Sequence, residues 1–254
     1  MSSDQIRPSF FSHPEPHAPR IAYRRIRGKS PGIVFCTGFM SDMTGSKALA
    51  VEEWARRRGQ ACLRFDYRGH GESEGNFADG TIGLWKEDAL GVFDAQTEGP
   101  QIVIGSSMGG WIALLLALAR PTRVSGLIGI AAAPDFTEDL IWAKLPPPLR
   151  AKLETDGFFQ EPSAYGETPY TITRALIEDG RRHLLLRGPI AFTGKVRLLH
   201  GMLDPDVPWQ WSPKIAEKLA GADTRVTLIK DGDHRLSREQ DLKLLTDALD
   251  ELAG

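Results

Sequence analysis

Residues Gln101 to Arg120 read QIVIGSSMGGWIALLLALAR: a short β-rich run, a cluster of small residues, then an apolar stretch of helical length. A run such as IVI, with no polar alternation, is expected of a strand covered on both faces. The stretch after it suits a helix lying along the same sheet. At the junction stand Gly105, Ser106, Ser107, Met108 and Gly109. A chain that passes from strand to helix this abruptly brings the residues two before and two after the turning point almost into contact, which favours glycine at both. Centring the turn on Ser107 puts Gly105 and Gly109 there; centring it on Ser106 puts Ile104 and Met108 there.

Outward from this turn the same alternation recurs. Strands are predicted over Arg20 to Arg27, Gly32 to Thr37, Ala61 to Tyr67, Gln101 to Gly105, Val124 to Ala131, Val196 to His200 and Thr224 to Lys230. Helices are predicted over Ser46 to Arg58, Ile82 to Thr97, Met108 to Arg120, Pro213 to Ala220 and Leu236 to Ala253, with Gly59 and Pro121 as stops. Alternating strands and helices define an α/β fold with a mostly parallel central sheet flanked by helices. Residues from about 134 to 189 break the rhythm. They hold Pro146 to Pro148, the aromatics Trp142, Phe158, Phe159, Tyr165 and Tyr170, and two or three short helical stretches. This is read as a small helical cap inserted over one end of the sheet, within a single domain spanning 1–254; packing explains any one of these aromatics on its own.

A chain of 254 residues can bury one large core. Its net charge of −2, with 25% charged residues, offers no basic surplus for a nucleic-acid backbone, so no nucleic-acid partner is expected. Cys36 and Cys62 sit in apolar runs and read as buried hydrophobes, not as a disulfide. The first twenty residues contain no apolar h-region, and proline interrupts the arginines that a transit helix would need. The longest apolar run, Trp111 to Ala119, is too short for a membrane span. The expectation is a soluble, cytoplasmic protein.

A serine exposed on such a turn becomes a nucleophile when a base takes its proton and an acid orients the base. Ser107 is the candidate nucleophile. RLLHGMLDPDVPW places Asp204 where the chain first turns after a strand, with Val207-Pro208 re-anchoring the loop; LIKDGDHRLS places His234 after the last strand. Asp206, Asp231 and Asp233 are rival acids. Among the other histidines, His13 and His17 lie near the terminus, His70 in an earlier loop, His183 in the insertion, and His200 at a strand end where it is read as packing. Two backbone N–H groups would hold a developing oxyanion: that of Met108 at the helix start, and that of Phe39, after Gly38 in VFCTGFMSD.

These pieces together resemble the α/β-hydrolase superfamily over nearly the whole chain: TGF, FDYRGHGES, GSSMGG, HGMLDPDVPW and GDHR. Thr37 stands where many members have histidine, and RGHGES is read as a structural loop. GSKALAVEEWARRRGQACLRFDYRG, GPQIVIGSSMGGW, ARPTRV, VRLLHGMLDPDVPW and DHR are similar to a narrower group, the acyl-glucuronide esterases and protein depalmitoylases of animal mitochondria with their bacterial relatives. The resemblance implies hydrolysis of acyl esters or thioesters by Ser107, Asp204 and His234, with no metal or organic cofactor. It implies a small-molecule acyl ester or thioester, or an acylated protein, as partner. Animal members carry a mitochondrial presequence; its compartment is not carried over here. Two competing readings are a hydrolase-fold ligand-binding protein and an acyltransferase or lyase using the same residues. Arg56 to Arg58, Arg181 and Arg182 are read as solvated; Trp209 and Trp211 either wall the pocket or pack. Oligomeric state is left open.

Overall fold

A computed structural model describes residues 7–162 and 169–254; Tyr165 lies outside the described residues. The chain begins with β1 (Ser9–Phe11), β2 (Ile21–Ile26) and β3 (Lys29–Cys36), then α1 (Ser46–Arg58), β4 (Gln60–Phe65), α2 (Ile82–Gln96), β5 (Gln101–Ser106), α3 (Met108–Ala119) and β6 (Val124–Ile130). After these come α4 (Pro147–Asp156), β7 (Phe158–Glu161), β8 (Tyr170–Thr173) and α5 (Arg174–Gly180). The last elements are β9 (Lys195–Gly201), α6 (Trp211–Lys218), β10 (Thr224–Ile229) and α7 (Glu239–Ala253). One eight-stranded sheet runs in the order β1-β2-β4-β3-β5-β6-β9-β10. Its β1–β2 and β2–β4 contacts are antiparallel and the others parallel.

Alternate residues of the central strands feed opposite faces. Val34 and Val103 face a core with Trp85 and Phe93 of α2 and Trp111 of α3. Ile33, Phe35, Ile102 and Ile104 face a second core with Val51 and Trp54 of α1 and Leu245 and Leu249 of α7. Both faces are covered, which is why these strands read as continuous apolar runs. Cys36 and Cys62 are buried and unbridged. Ten of the twelve residues of α3 are buried, so this helix is apolar all round rather than amphipathic.

Two helix starts move from their predicted places. Helix α7 begins at Glu239, not at Leu236, because Leu236 has a φ of 42° and its N–H is tied to the Asp233 carboxylate at 2.9 Å. Helix α6 begins at Trp211, with Pro213 in its first turn, where a missing N–H costs nothing.

The segment between β6 and β9 carries its own small apolar cluster of Leu145, Leu153, Phe159, Ile172 and Ile177. Besides short helices it contains an antiparallel ribbon of β7 and β8, which the sequence reading did not anticipate. Its strands are too short for alternation to register, yet the paired Phe159 and Ile172 are buried while Phe158 is exposed. Asp135, buried and with a φ of 62°, clasps the two ends of the segment together, accepting the N–H groups of Leu185 (2.7 Å) and Leu186 (2.9 Å). The segment is tied to the body where Asp179 accepts Gly83 N–H (2.6 Å) and where the Trp111 indole donates to the His183 carbonyl (3.0 Å).

Candidate active site

The loops at the carboxyl ends of β3, β5, β9 and β10 line one cavity together with residues of the segment between β6 and β9. Ser107 stands between β5 and α3 with φ 55° and ψ −121°, a conformation that costs a non-glycine residue roughly 1–3 kcal/mol. Backbone bonds hold it there: its N–H donates to Ile130 (2.9 Å), and its carbonyl accepts from Gly110 (2.9 Å) and Ala133 (3.1 Å). The flanking glycines are required by space. A Cβ on Gly105 would lie 2.2 Å from the Gly109 carbonyl oxygen, and one on Gly109 would lie 2.2 Å from that of Cys36.

The Ser107 hydroxyl lies 3.1 Å from Nε2 of His234, in the geometry of a donor to that nitrogen. On the other side of the ring, Nδ1 of His234 lies 2.7 Å from Oδ2 of Asp204. Residues 107, 204 and 234, distant in sequence, thus form one hydrogen-bonded chain. Asp204 has no exposed side-chain surface, and its Oδ1 accepts the N–H groups of Asp206 (2.9 Å) and Val207 (2.8 Å). Burial by itself would push this carboxyl up. Hydrogen bonds from His200 and His234, the charge His234 carries when protonated, and the Val207 N–H outweigh it and hold Asp204 well below the usual carboxylate range.

Of the rival acids, two are engaged elsewhere and the third lies at the solvent side of the site. Asp231 pairs with Arg238 at 2.8 Å, Asp233 accepts from Leu236, and Asp206 is exposed. His13 bonds Asp88, His183 lies 3.7 Å from Asp179, and His17 is exposed. His200 is the contact that sequence reasoning missed: read as packing, it lies 3.2 Å from Oδ2 of Asp204. Gly201 was missed as well. A Cβ there would lie 2.3 Å from the Gly232 carbonyl, so this glycine lets the acid strand and the histidine loop touch. The signal was present in the HG pair immediately before the acid loop.

The loop after β3 approaches Ser107 from the opposite side. A Cβ on Gly38 would stand 3.5 Å from Cβ of Ser107, and Met108, as the first residue of α3, has no acceptor for its N–H within the helix. The RGHGES loop braces this approach. Nδ1 of His70 donates to the Arg68 carbonyl (3.2 Å), leaving Nε2 to accept the N–H of Met40 (3.3 Å), a residue at φ 51° directly after Phe39. Burial pushes His70 down to about 4. Asp66 accepts the N–H groups of Met43 (2.6 Å) and Glu72 (2.9 Å), and its own burial pushes it up to about 6.

A cavity of about 830 Å³ opens onto Ser107 and His234. Phe39, Phe136, Ile141, Tyr170 and Ile172 supply apolar lining; Asp42, Lys47 and Arg235 supply polar lining. Lys47 donates to the Arg235 carbonyl at 2.5 Å, and burial first, then the Arg235 charge, pushes it down to about 8. Trp211 packs on the core and donates to the Pro134 carbonyl at 3.2 Å. Arg181 pairs with Glu138, Arg182 lies 3.7 Å from Asp179, and Arg56 pairs with Glu52. Among the described residues, ligand atoms of Asp204, Asp206 and His234 come within 4.8 Å of one another, as a metal site would require, but a cation there would displace the bond between His234 and Asp204.

The sharp turn at Ser107, the parallel sheet and the loops at its carboxyl ends define the class. Residues 33–248 match the model of the alpha/beta hydrolase family, and the chain belongs to that family. It is 44% identical over 245 residues to the mitochondrial palmitoyl-protein thioesterase ABHD10 of Mus musculus, covering 96% of this chain and 82% of that one. The solved structure of mouse alpha/beta hydrolase domain-containing protein 10 superposes with a TM-score of 0.88 at 43% identity, over 96% of this chain and 97% of that one. A crystal structure from Agrobacterium vitis S4 gives 0.92 at 42% identity, over 97% and 98%.

The mitochondrial name of the thioesterase relatives overturns the cytoplasmic expectation. Compartment is assigned by address segments read by import machinery, so the charge balance and hydropathy of a folded domain do not decide it. Among the described residues, no helix is long and apolar enough to cross a membrane.

Proposed function

We propose that this protein is a serine hydrolase that cleaves carboxylic esters or thioesters through an acyl-enzyme on Ser107. The observation that carries the reading is the continuous chain from Ser107 through His234 to Asp204 at one cavity. His234 takes the Ser107 proton as Oγ attacks the acyl carbon. The N–H groups of Phe39 and Met108 bind the oxyanion, and Asp204 keeps Nδ1 protonated and stabilises the imidazolium. The alcohol or thiol leaves with the proton from His234. Water, activated by the same imidazole, then releases the acid and restores the serine. No metal or organic cofactor enters these steps.

The substrate is proposed to be an acyl thioester, an S-acyl cysteine or an acyl glucuronide. The thioesterase name of the mouse relative supports the first two. The segment from about 134 to 189 acts as a cap on a single domain, and its Phe136, Ile141, Tyr170 and Ile172 offer an apolar wall for the acyl chain.

The test is the hydrolysis rate of the purified protein on matched acyl esters, thioesters and acyl glucuronides of graded chain length, with Ser107→Ala as the blank. The expected result is turnover that falls about a thousandfold or more in Ser107→Ala while the fold is kept. Near-normal activity in that variant would remove Ser107 from the mechanism. No turnover, together with no labelling by a serine-directed fluorophosphonate, would favour the ligand-binding reading, and product transfer to an added alcohol or thiol would favour an acyltransferase.

A further inference from the structure

The acid of the proposed triad is held by two imidazoles, not one. We infer that His200 is a positioning residue that clamps Asp204 from behind, through a proton on its Nε2. This inference rests on the hydrolase reading above.

His200 ends β9 and is fully buried. Its Nε2 faces two oxygens that can only accept: the Val207 carbonyl at 3.0 Å and, if Asp204 is ionised, the carboxylate Oδ2 at 3.2 Å. A nitrogen between two acceptors must carry the hydrogen. Its Nδ1 lies 2.8 Å from the hydroxyl of Ser212 in α6, also fully buried. That hydroxyl can donate, so the Nε2–H tautomer satisfies every polar atom around the ring.

With this proton placed, Asp204 has donors on every side. Oδ2 receives His234 at 2.7 Å and has the His200 N–H, which donates to the Val207 carbonyl at 3.0 Å, also 3.2 Å away, while Oδ1 receives the N–H groups of Asp206 and Val207. Three hydrogen bonds and the shared N–H of His200 surround the carboxylate, so its plane cannot rotate without leaving one of them. The hydrogen bond of Nε2 to the Val207 carbonyl ties the return of the acid loop to the end of β9. One ring thus holds both the side chain and the loop that presents it. Each donor also makes a carboxylate a poorer acceptor. His200 thereby limits how strongly Asp204 holds the charged form of His234, the form that cannot take a proton from Ser107.

Replacing His200 by Leu removes the donor and leaves Asp204 a stronger acceptor for His234. The acid limb of the kcat/KM profile should then move to higher pH, and the plateau kcat should fall about tenfold or more with little change in KM. The other charged groups near His234 are Asp206 on the acid loop, Asp233 and Arg235 beside it in sequence, and Lys47 from α1; the substitution leaves all four in place. His200→Gln, whose amide nitrogen can reach the position of Nε2, should restore most of kcat and the wild-type limb.

The experiment is the pH dependence of kcat and KM for the wild type, His200→Leu and His200→Gln, with thermal midpoints measured alongside. A profile displaced in the Leu variant and recovered in the Gln variant supports the clamp. Unchanged profiles per folded molecule, with only a lower midpoint, would reduce His200 to packing. If the Leu variant does not fold, ¹⁵N shifts of labelled histidine in the intact wild type at pH 8 decide: the Nε2–H tautomer at His200 supports the clamp and the Nδ1–H tautomer overturns it. Absence of Ser107-dependent turnover in the wild type would instead strike the hydrolase reading, and the tautomer measurement would still report on the contact.

Discussion

The carbonyl oxygen of Gly109 lies 2.2 Å from the point a Cβ on Gly105 would occupy. The obstructing atoms are backbone, which cannot swing aside as the end of a long side chain can. Gly105→Ala is therefore expected to force the strand away from the helix and destabilise the fold by more than about 3 kcal/mol. Chemical denaturation checks this; a loss under about 1 kcal/mol would show that the turn can relax.

Asp204→Asn keeps the size of the acid but replaces one acceptor oxygen with a donor, which turns the His234 ring toward the wrong tautomer. A loss in kcat of about a thousandfold or more is expected. Asp206→Asn, at an exposed position, should stay within a few-fold of wild type. Steady-state kinetics of the two variants side by side test the assignment, and the reverse ranking would move the acid to Asp206.

His70 accepts the Met40 N–H next to the proposed oxyanion donor Phe39. His70→Phe retains a ring among Tyr67, Phe77 and Trp85 but removes that acceptor. Turnover should fall about tenfold, with KM nearly unchanged, because the donor matters most once charge develops on the oxyanion. Equal losses of affinity for a ground-state analogue and for a boronate would contradict this.

Asp66 has its carboxyl raised to about 6 by burial. Between its ordinary value near 4 and about 6, the folded state holds more protons than the unfolded chain, so this group's contribution to stability declines as pH rises. Above about 7 both states are ionised and the contribution is level. Relative to the non-titrating Asp66→Asn, wild-type stability should decline from pH 4 to pH 6 and run parallel above pH 7. Urea unfolding across this range is the measurement, and parallel curves throughout would refute the shift.

Residues close in sequence determined much of this protein. The runs Gly32 to Thr37 and Gln101 to Gly105 announced buried parallel strands because their apolar residues are continuous, and Gly59 marked the end of the helix Ser46 to Arg58, where it takes the left-handed conformation common at helix ends. Gly105 and Gly109 singled out Ser107 over Ser106 because steric exclusion at a turn acts between near neighbours. Other features depend on how distant segments pack. The clasp of Asp135 on Leu185 and Leu186 spans some fifty residues, and the β7–β8 ribbon holds too few residues for its period to show. The contact of His200 with Asp204 exists because the acid loop folds back through Val207, and Gly201 meets Gly232 only when β9 and β10 lie side by side. A local pattern records which conformations a segment prefers; which polar atoms share a proton is decided when the strand ends converge.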